Sequence, residues 1–170
     1  GGSKRKAPAM RQATVARYRR STSDAIQAPE RDVITVLLVD DQPQLLRGLE
    51  MLLALEGDVR VVGTSGSAED ALDLAPRLRP DIVLMDVQLP GMDGINATRR
   101  LRCGASASQV IVLTLYDDPA TRRRALQAGA AAFVAKHDIE GSLLATIREV
   151  AADGPTSPPD RVGAPDETAG

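Results

Sequence analysis

Aromatic residues are almost missing: one Phe, two Tyr and no Trp among 170 residues, 2% of the chain. So little π surface leaves next to nothing to stack on a flavin or an exposed base. A single cysteine, Cys103, excludes an internal disulfide framework. It precedes Gly104 near the expected end of a helix, where it reads as a small residue at a terminus rather than a redox centre. There is one histidine, His137, so no second imidazole can join it on a metal, and it reads as a loop residue. No apolar run approaches the ~20 residues that span a bilayer. These absences point to a soluble, cytoplasmic protein. Also missing is a glycine-rich loop ending in Gly-Lys-Ser/Thr, which argues against a nucleotide hydrolase.

Net charge is small, −2, but unevenly placed. Residues 1–32 carry eight basic and three acidic groups, and residues 153–170 carry one basic and four acidic. The twelve basic and sixteen acidic residues between them make the middle mildly acidic, with no broad electrostatic footprint for nucleic acid. Residues 1–32 are expected to be a disordered basic arm. Its Gly1-Gly2-Ser3 start, without an initiator Met, reads as an expression remnant, and Met10 is a candidate native start. Residues 153–170, rich in Pro, Gly and acid, are expected to be disordered too. One domain over residues 33–152 follows.

Within it, Val33–Val39, Val59–Val62, Ile82–Met85, Val110–Leu113 and Ala131–Ala135 are short runs, mostly apolar without alternation, as strands buried on both faces are. Between them lie helical stripes, such as Leu45, Leu49, Leu52 and Leu53, or Ile139, Leu143, Ile147 and Val150. Asp118-Pro119 and Ser67 with Asp70 three residues later mark helix starts, and Gly129 a helix end. Five strand–helix repeats with right-handed crossovers predict an α/β fold: a doubly wound, five-stranded parallel sheet of order 2-1-3-4-5. Its crevice lies outside the carboxyl ends of the strands.

Asp40 and Asp41 follow the first strand, Asp86 the third, Thr114 the fourth and Lys136 the fifth. All emerge at that one edge. Three neighbouring carboxylates repel one another unless a cation lies between them or their pKa values rise. Magnesium answers that need, being hard and octahedral, with room for one or two carboxylates, water and a phosphoryl oxygen. Such a site transfers a phosphoryl group in line, with Asp86 as the nucleophile. Lys136 supplies a point charge for a phosphoryl oxygen and Thr114 a hydrogen bond. Each residue alone has an ordinary explanation, as an N-cap, a strand end or a solvated lysine. Their joint placement does not.

Several separated motifs carry a family resemblance: Val39-Asp40-Asp41, Asp86 followed by Leu89-Pro90-Gly91-Met92-Asp93-Gly94, Leu113-Thr114, and Ala128-Gly129-Ala130 leading to Phe133 and Lys136. The chain from Val33 to about Ala152 resembles a two-component response regulator receiver domain, in particular the subfamily that usually carries a LuxR-type helix-turn-helix output domain. The resemblance implies a flavodoxin-like receiver fold and a signalling module, not an enzyme. It implies that Asp86 accepts phosphate from a sensor histidine kinase, and that Asp40, Asp41, Asp86 and the main-chain carbonyl of Gln88 hold Mg2+. It implies further that Thr114 moves toward the phosphoryl group, that Phe133 takes the vacated space, and that Gln88 and Tyr116 tune water access to the acyl phosphate. Homodimerisation on phosphorylation belongs to the same expectation.

The sequence departs from the family where His137 replaces the proline that often follows the lysine. The residues after the fifth helix are too few for an output domain, so no DNA-binding domain is expected in this chain. A metal-dependent phosphatase would want an acid two residues beyond its nucleophile, where Gln88 and, after Asp41, Gln42 fall instead. The remaining alternative is a phosphorylation-independent pseudo-receiver that only binds proteins.

Overall fold

The computed structural model describes residues 33–104 and 106–154. Within them, strands β1 (Ile34–Val39), β2 (Val59–Ser65), β3 (Ile82–Asp86), β4 (Gln109–Thr114) and β5 (Ala132–Ala135) alternate with helices α1 (Pro43–Ala54), α2 (Ala68–Leu78), α3 (Gly94–Cys103), α4 (Pro119–Gln127) and α5 (Leu144–Asp153). All strand pairs are parallel, and the sheet order is β2-β1-β3-β4-β5, as expected. The expected arm, residues 1–32, lies outside the described residues, as does the expected tail from residue 155 on.

Alternate side chains of each strand leave opposite faces of the sheet. One face sends Leu37, Val39, Val83, Met85, Val110 and Val112 against α2, α3 and α4, which meet it largely through Ala68, Ala71, Ala75, Ala97 and Ala125. The other sends Val36, Leu38, Ile82, Leu84, Ile111 and Leu113 against Leu49 and Leu53 of α1 and Leu143, Ile147 and Val150 before and along α5. Burial on both faces explains the unbroken apolar runs. With so few rings available, the core is aliphatic.

Boundaries moved where pairing overrode local signal. β2 runs to Ser65 rather than Val62, because Gly63, Thr64 and Ser65 pair with Leu37, Leu38 and Val39 of β1 after an irregularity at Val36/Leu37. As an edge strand, β2 tolerates these residues. The domain also continues past residue 152: Asp153 closes α5, and the Gly154 carbonyl accepts a hydrogen bond from the Gln109 side chain. Ser67 caps α2, its Oγ accepting from Asp70 N at 3.2 Å, but its own N–H turns to Ser65 Oγ, so only half a capping box forms. Asp118 caps α4 by accepting from Thr121 N at 2.8 Å. Gly129 has φ +96°, and a side chain there would press on the stem of Arg102. His137 is exposed in a short 3-10 turn, Lys136–Asp138, followed by a π-helical turn, Ile139–Leu143, before α5. No described helix is long and apolar enough to cross a membrane.

Candidate functional site

The ends of β1, β3, β4 and β5 bring the expected residues to one edge. Asp40, directly after β1, donates its N–H to Ser65 O at 3.0 Å, and its Oδ1 accepts from Gln42 N at 2.9 Å. Asp86, the last residue of β3, accepts from Gln88 N at 3.3 Å through Oδ1. Each carboxylate is thus oriented by the amide two residues on, the hydrogen bond of an Asx-turn. Asp40 and Asp86 are buried, Asp41 is exposed, and one carboxylate oxygen from each of the three lies within 4.8 Å of the others. Lys136, directly after β5, places Nζ 2.6 Å from Asp40 Oδ2 and 3.1 Å from Asp86 Oδ1. Three carboxylates and one ammonium leave a formal charge of −2 (−3 + 1). A hard divalent cation with oxygen ligands fits that donor set in charge and in chemistry.

Burial raises the Asp86 carboxyl above its usual pKa, the neighbouring Asp40 raises it further, and Lys136 and the Gln88 amide pull it back. Both of its hydrogen-bonding contacts fall on Oδ1. Among the described residues none donates to Oδ2, so this oxygen is left open within a buried, polar site.

The loop after Asp86 closes tightly. Val87 N–H bonds to Leu113 O at 3.0 Å and Gly94 N–H to Val87 O at 2.9 Å, so the loop ends where it began. A β-carbon at Gly94 would run into the Asp86 carbonyl oxygen, which is why α3 can start so near Asp86 only with glycine. Gln88, within this loop, is exposed.

Thr114 is buried at the end of β4, but its hydroxyl is engaged with its own loop: Oγ1 accepts from Tyr116 N at 3.1 Å and donates to Tyr116 O at 3.2 Å. The Tyr116 side chain is exposed. Phe133 in β5 is half-buried, packed on the face shared with α2, α3 and α4, with Arg122 over its ring. The sequence does not mark Glu69, whose Oε1 accepts from Met92 N in the loop after Asp86 at 3.0 Å. In sequence Glu69 offers only an acid in the first turn of a helix, a common position.

A family model for the response regulator receiver domain matches residues 36–148. The chain belongs to this family. Among curated proteins, it is 38% identical over 118 residues to the response regulator GacA of Pseudomonas aeruginosa, covering 69% of this chain and 55% of that one. It is 33% identical to the transcriptional regulatory protein DesR of Bacillus subtilis, over 69% of this chain and 58% of that one. The chain therefore matches little more than half the length of these relatives. Among solved structures, the receiver domain of NarL from Mycobacterium tuberculosis superposes with a TM-score of 0.68 at 31% identity, over 71% of this chain and 98% of that one. A LuxR-family response regulator from Aurantimonas sp. gives 0.68 at 32%, over 74% and 90%. The fold expected from strand order and the expected family are both borne out.

Proposed function

We propose that this receiver is a phosphorylation switch in which Asp86 takes a phosphoryl group from a phosphohistidine on a sensor kinase. The observation that carries the reading is Asp86 itself: a buried carboxylate whose Oδ1 is held by Lys136 and the Gln88 amide while Oδ2 is left open among the described residues. In the reaction, Oδ2 forms the new P–O bond as the P–N bond to the donor imidazole breaks, and that nitrogen keeps the electron pair. Asp40, Asp41, Asp86 and the Gln88 carbonyl would hold Mg2+, which would supply charge neutralisation for the incoming phosphoryl group. Lys136 balances part of the charge that arrives. Its present contacts with Asp40 and Asp86 keep it at that spot beforehand.

Phosphorylation then acts through Thr114. Turning its O–H to the phosphoryl oxygen gives up the bond it donates to Tyr116 O, and moving Oγ1 toward the phosphoryl group draws it away from Tyr116 N–H, so the β4–α4 loop is released as the new charge is satisfied. Phe133, one strand over, takes the space the threonine leaves. Gln88 and Tyr116 flank the acyl phosphate and govern its exposure to water. The module acts in the cytoplasm as a signalling protein, not an enzyme, with homodimerisation as one consequence of phosphorylation.

Acetyl phosphate with magnesium is the test. It should label the wild-type protein once, at Asp86, and beryllofluoride should occupy the same site without transfer. Asp86→Asn should prevent both. A wild-type protein that is never labelled would make this a pseudo-receiver that works through protein binding alone.

A further inference from the structure

Glu69 opens α2 and belongs to no part of the acidic cluster, yet its side chain is attached to the acceptor loop. Oε1 accepts a hydrogen bond from Met92 N–H at 3.0 Å, across 23 residues. Residue 91 is glycine with φ +77°, and a β-carbon there would lie 3.0 Å from the same Oε1, so the carboxylate is packed directly over the turn. The Glu69 carboxyl is held below its usual pKa, first by its own backbone amide and then by that of Met92. It is therefore an anion at neutral pH, and an amide bonded to an anion is held more strongly than one bonded to a neutral acceptor.

The other side of the cluster is tied to the same helix start. Asp40 N–H bonds to Ser65 O, Ser65 Oγ donates to Ser67 O at 2.9 Å, and Ser67 caps α2. From Asp40 the frame runs through Ser65, Ser67 and Glu69 to Met92, six residues beyond the acceptor. The base of the acceptor loop is clamped by Gly94 N–H to Val87 O, and Glu69 holds its outer turn. The main chain of Gln88 lies between these two fixed points.

We infer that Glu69 is a positioning residue, holding the loop of residues 87–93 at the geometry in which Asp86 and the Gln88 main chain meet a divalent cation. This rests on the phosphoreceiver reading above. Glu69 is exposed and makes this one long-range bond, so its effect belongs to the loop and the metal rather than to the stability of the whole domain.

The test compares Glu69→Ala with Glu69→Gln, which keeps a carbonyl acceptor at the same reach. Three quantities are measured: the magnesium concentration that half-saturates thermal stabilisation, the rate of acetyl phosphate labelling at low and saturating magnesium, and amide exchange of residues 87–93 without metal. In Glu69→Ala, magnesium binding should weaken by about tenfold, the lower end for groups that orient metal ligands. Labelling should slow in proportion at low magnesium and recover at saturation, and the Met92 amide should exchange faster, with the metal-free melt close to wild type. Glu69→Gln, which keeps the acceptor without the charge, should fall between wild type and Glu69→Ala in all three. Unchanged magnesium affinity in Glu69→Ala overturns the inference, as does equal impairment in Glu69→Gln or a large fall in the metal-free melt of Glu69→Ala. A wild-type protein that neither binds magnesium nor takes label overturns the phosphoreceiver reading itself, and this inference with it.

Discussion

The guanidinium of Arg122 lies over the ring of Phe133, 5.1 Å from its centroid, and Asp117 holds it there through a 2.8 Å ion pair. The first turns of α4 therefore reach across to β5 and cover its one aromatic residue. A ring so placed is neither fully buried nor free. Its position depends on where α4 begins, and α4 begins just after the Thr114–Tyr116 loop, with Asp118 as its cap. Any rearrangement of that loop thus acts on the cover of Phe133.

Removing the cover should release the ring without touching the phosphorylation chemistry. Arg122→Ala is expected to cost less than about 1 kcal/mol, since exposed cation–π pairs contribute roughly 0.5–1 kcal/mol. Because the chain has a single Phe, its ring resonances report one site without assignment ambiguity. In metal-free Arg122→Ala they should shift toward those of the beryllofluoride-loaded wild type. Resonances that stay at the unloaded position would show that Arg122 does not restrain Phe133.

The raised pKa of Asp86 makes a stability prediction with a definite sign. A folded-state pKa above the unfolded one means that the folded protein binds the proton more tightly. The stability from protonated Asp86 is complete below the ordinary value near 3.8 and is lost as pH rises through the raised value. At neutral pH, without metal, the ionised group is a burden that an amide does not carry. Asp86→Asn should therefore melt above wild type in chelator at neutral pH, and the gain should shrink on acidification toward the ordinary carboxylate range. A variant that is less stable than wild type at neutral pH would show that Lys136 more than compensates the burial.

Magnesium should reverse that order. Binding to the folded state alone stabilises by mass action, about 1.4 kcal/mol at ten times the dissociation constant. Wild type should gain this much and overtake Asp86→Asn, and Asp41→Ala should gain little, because it loses one of the three carboxylates of the cluster. Equal magnesium stabilisation of Asp41→Ala and wild type in thermal melts would remove Asp41 from the site.

The sheet and its functional edge were legible in the sequence because parallel strands buried on both faces leave unbroken apolar runs, and four of the five runs here lead straight into a polar residue. Asp40, Asp86, Thr114 and Lys136 could be placed that way without knowing any contact. What was not legible depended on partners far along the chain. The sequence marks β2 short because Gly63 ends the apolar run and Thr64 and Ser65 are polar; their pairing with β1 carries the strand on. The π-helical turn before α5 was invisible, since the stripe of Ile139, Leu143, Ile147 and Val150 fits an ordinary helix equally well. Glu69 was missed for the same reason: its partner, Met92, is 23 residues away. The hydroxyl of Thr114 was expected to serve the phosphoryl group, and in this structure it is engaged with Tyr116, a resting arrangement that residue types alone do not specify.

Deleting residues 1–32 tests whether the receiver needs them. The melt and the labelling rate of the remaining domain should be unaltered, since the sheet, its covering helices and the acidic cluster all lie within residues 33–154. A large fall in either would mean that the segment packs on the receiver. Salt-sensitive binding to nucleic acid or anionic lipid that disappears with the deletion would instead assign it a polyanion-binding role.

In the proposed switch the coupling between chemistry and surface rests on Thr114, and the way its hydroxyl is engaged makes the prediction specific. In Thr114→Ala the Asp86 carboxylate, the rest of the acidic cluster and Lys136 all remain, so labelling by acetyl phosphate should proceed at close to the wild-type extent. The two hydrogen bonds to Tyr116 are absent from the start, so the amides of residues 115–118 should exchange faster even in the unphosphorylated variant. Phosphorylation then has no hydroxyl to recruit. The further change in amide exchange along the β4–α4 loop and β5, and any self-association that wild type shows with beryllofluoride, should be blunted. Thr114→Ser, which keeps the hydroxyl, should restore both responses. If Thr114→Ala takes up label and responds as fully as wild type, the signal leaves Asp86 by a route that does not pass through this threonine.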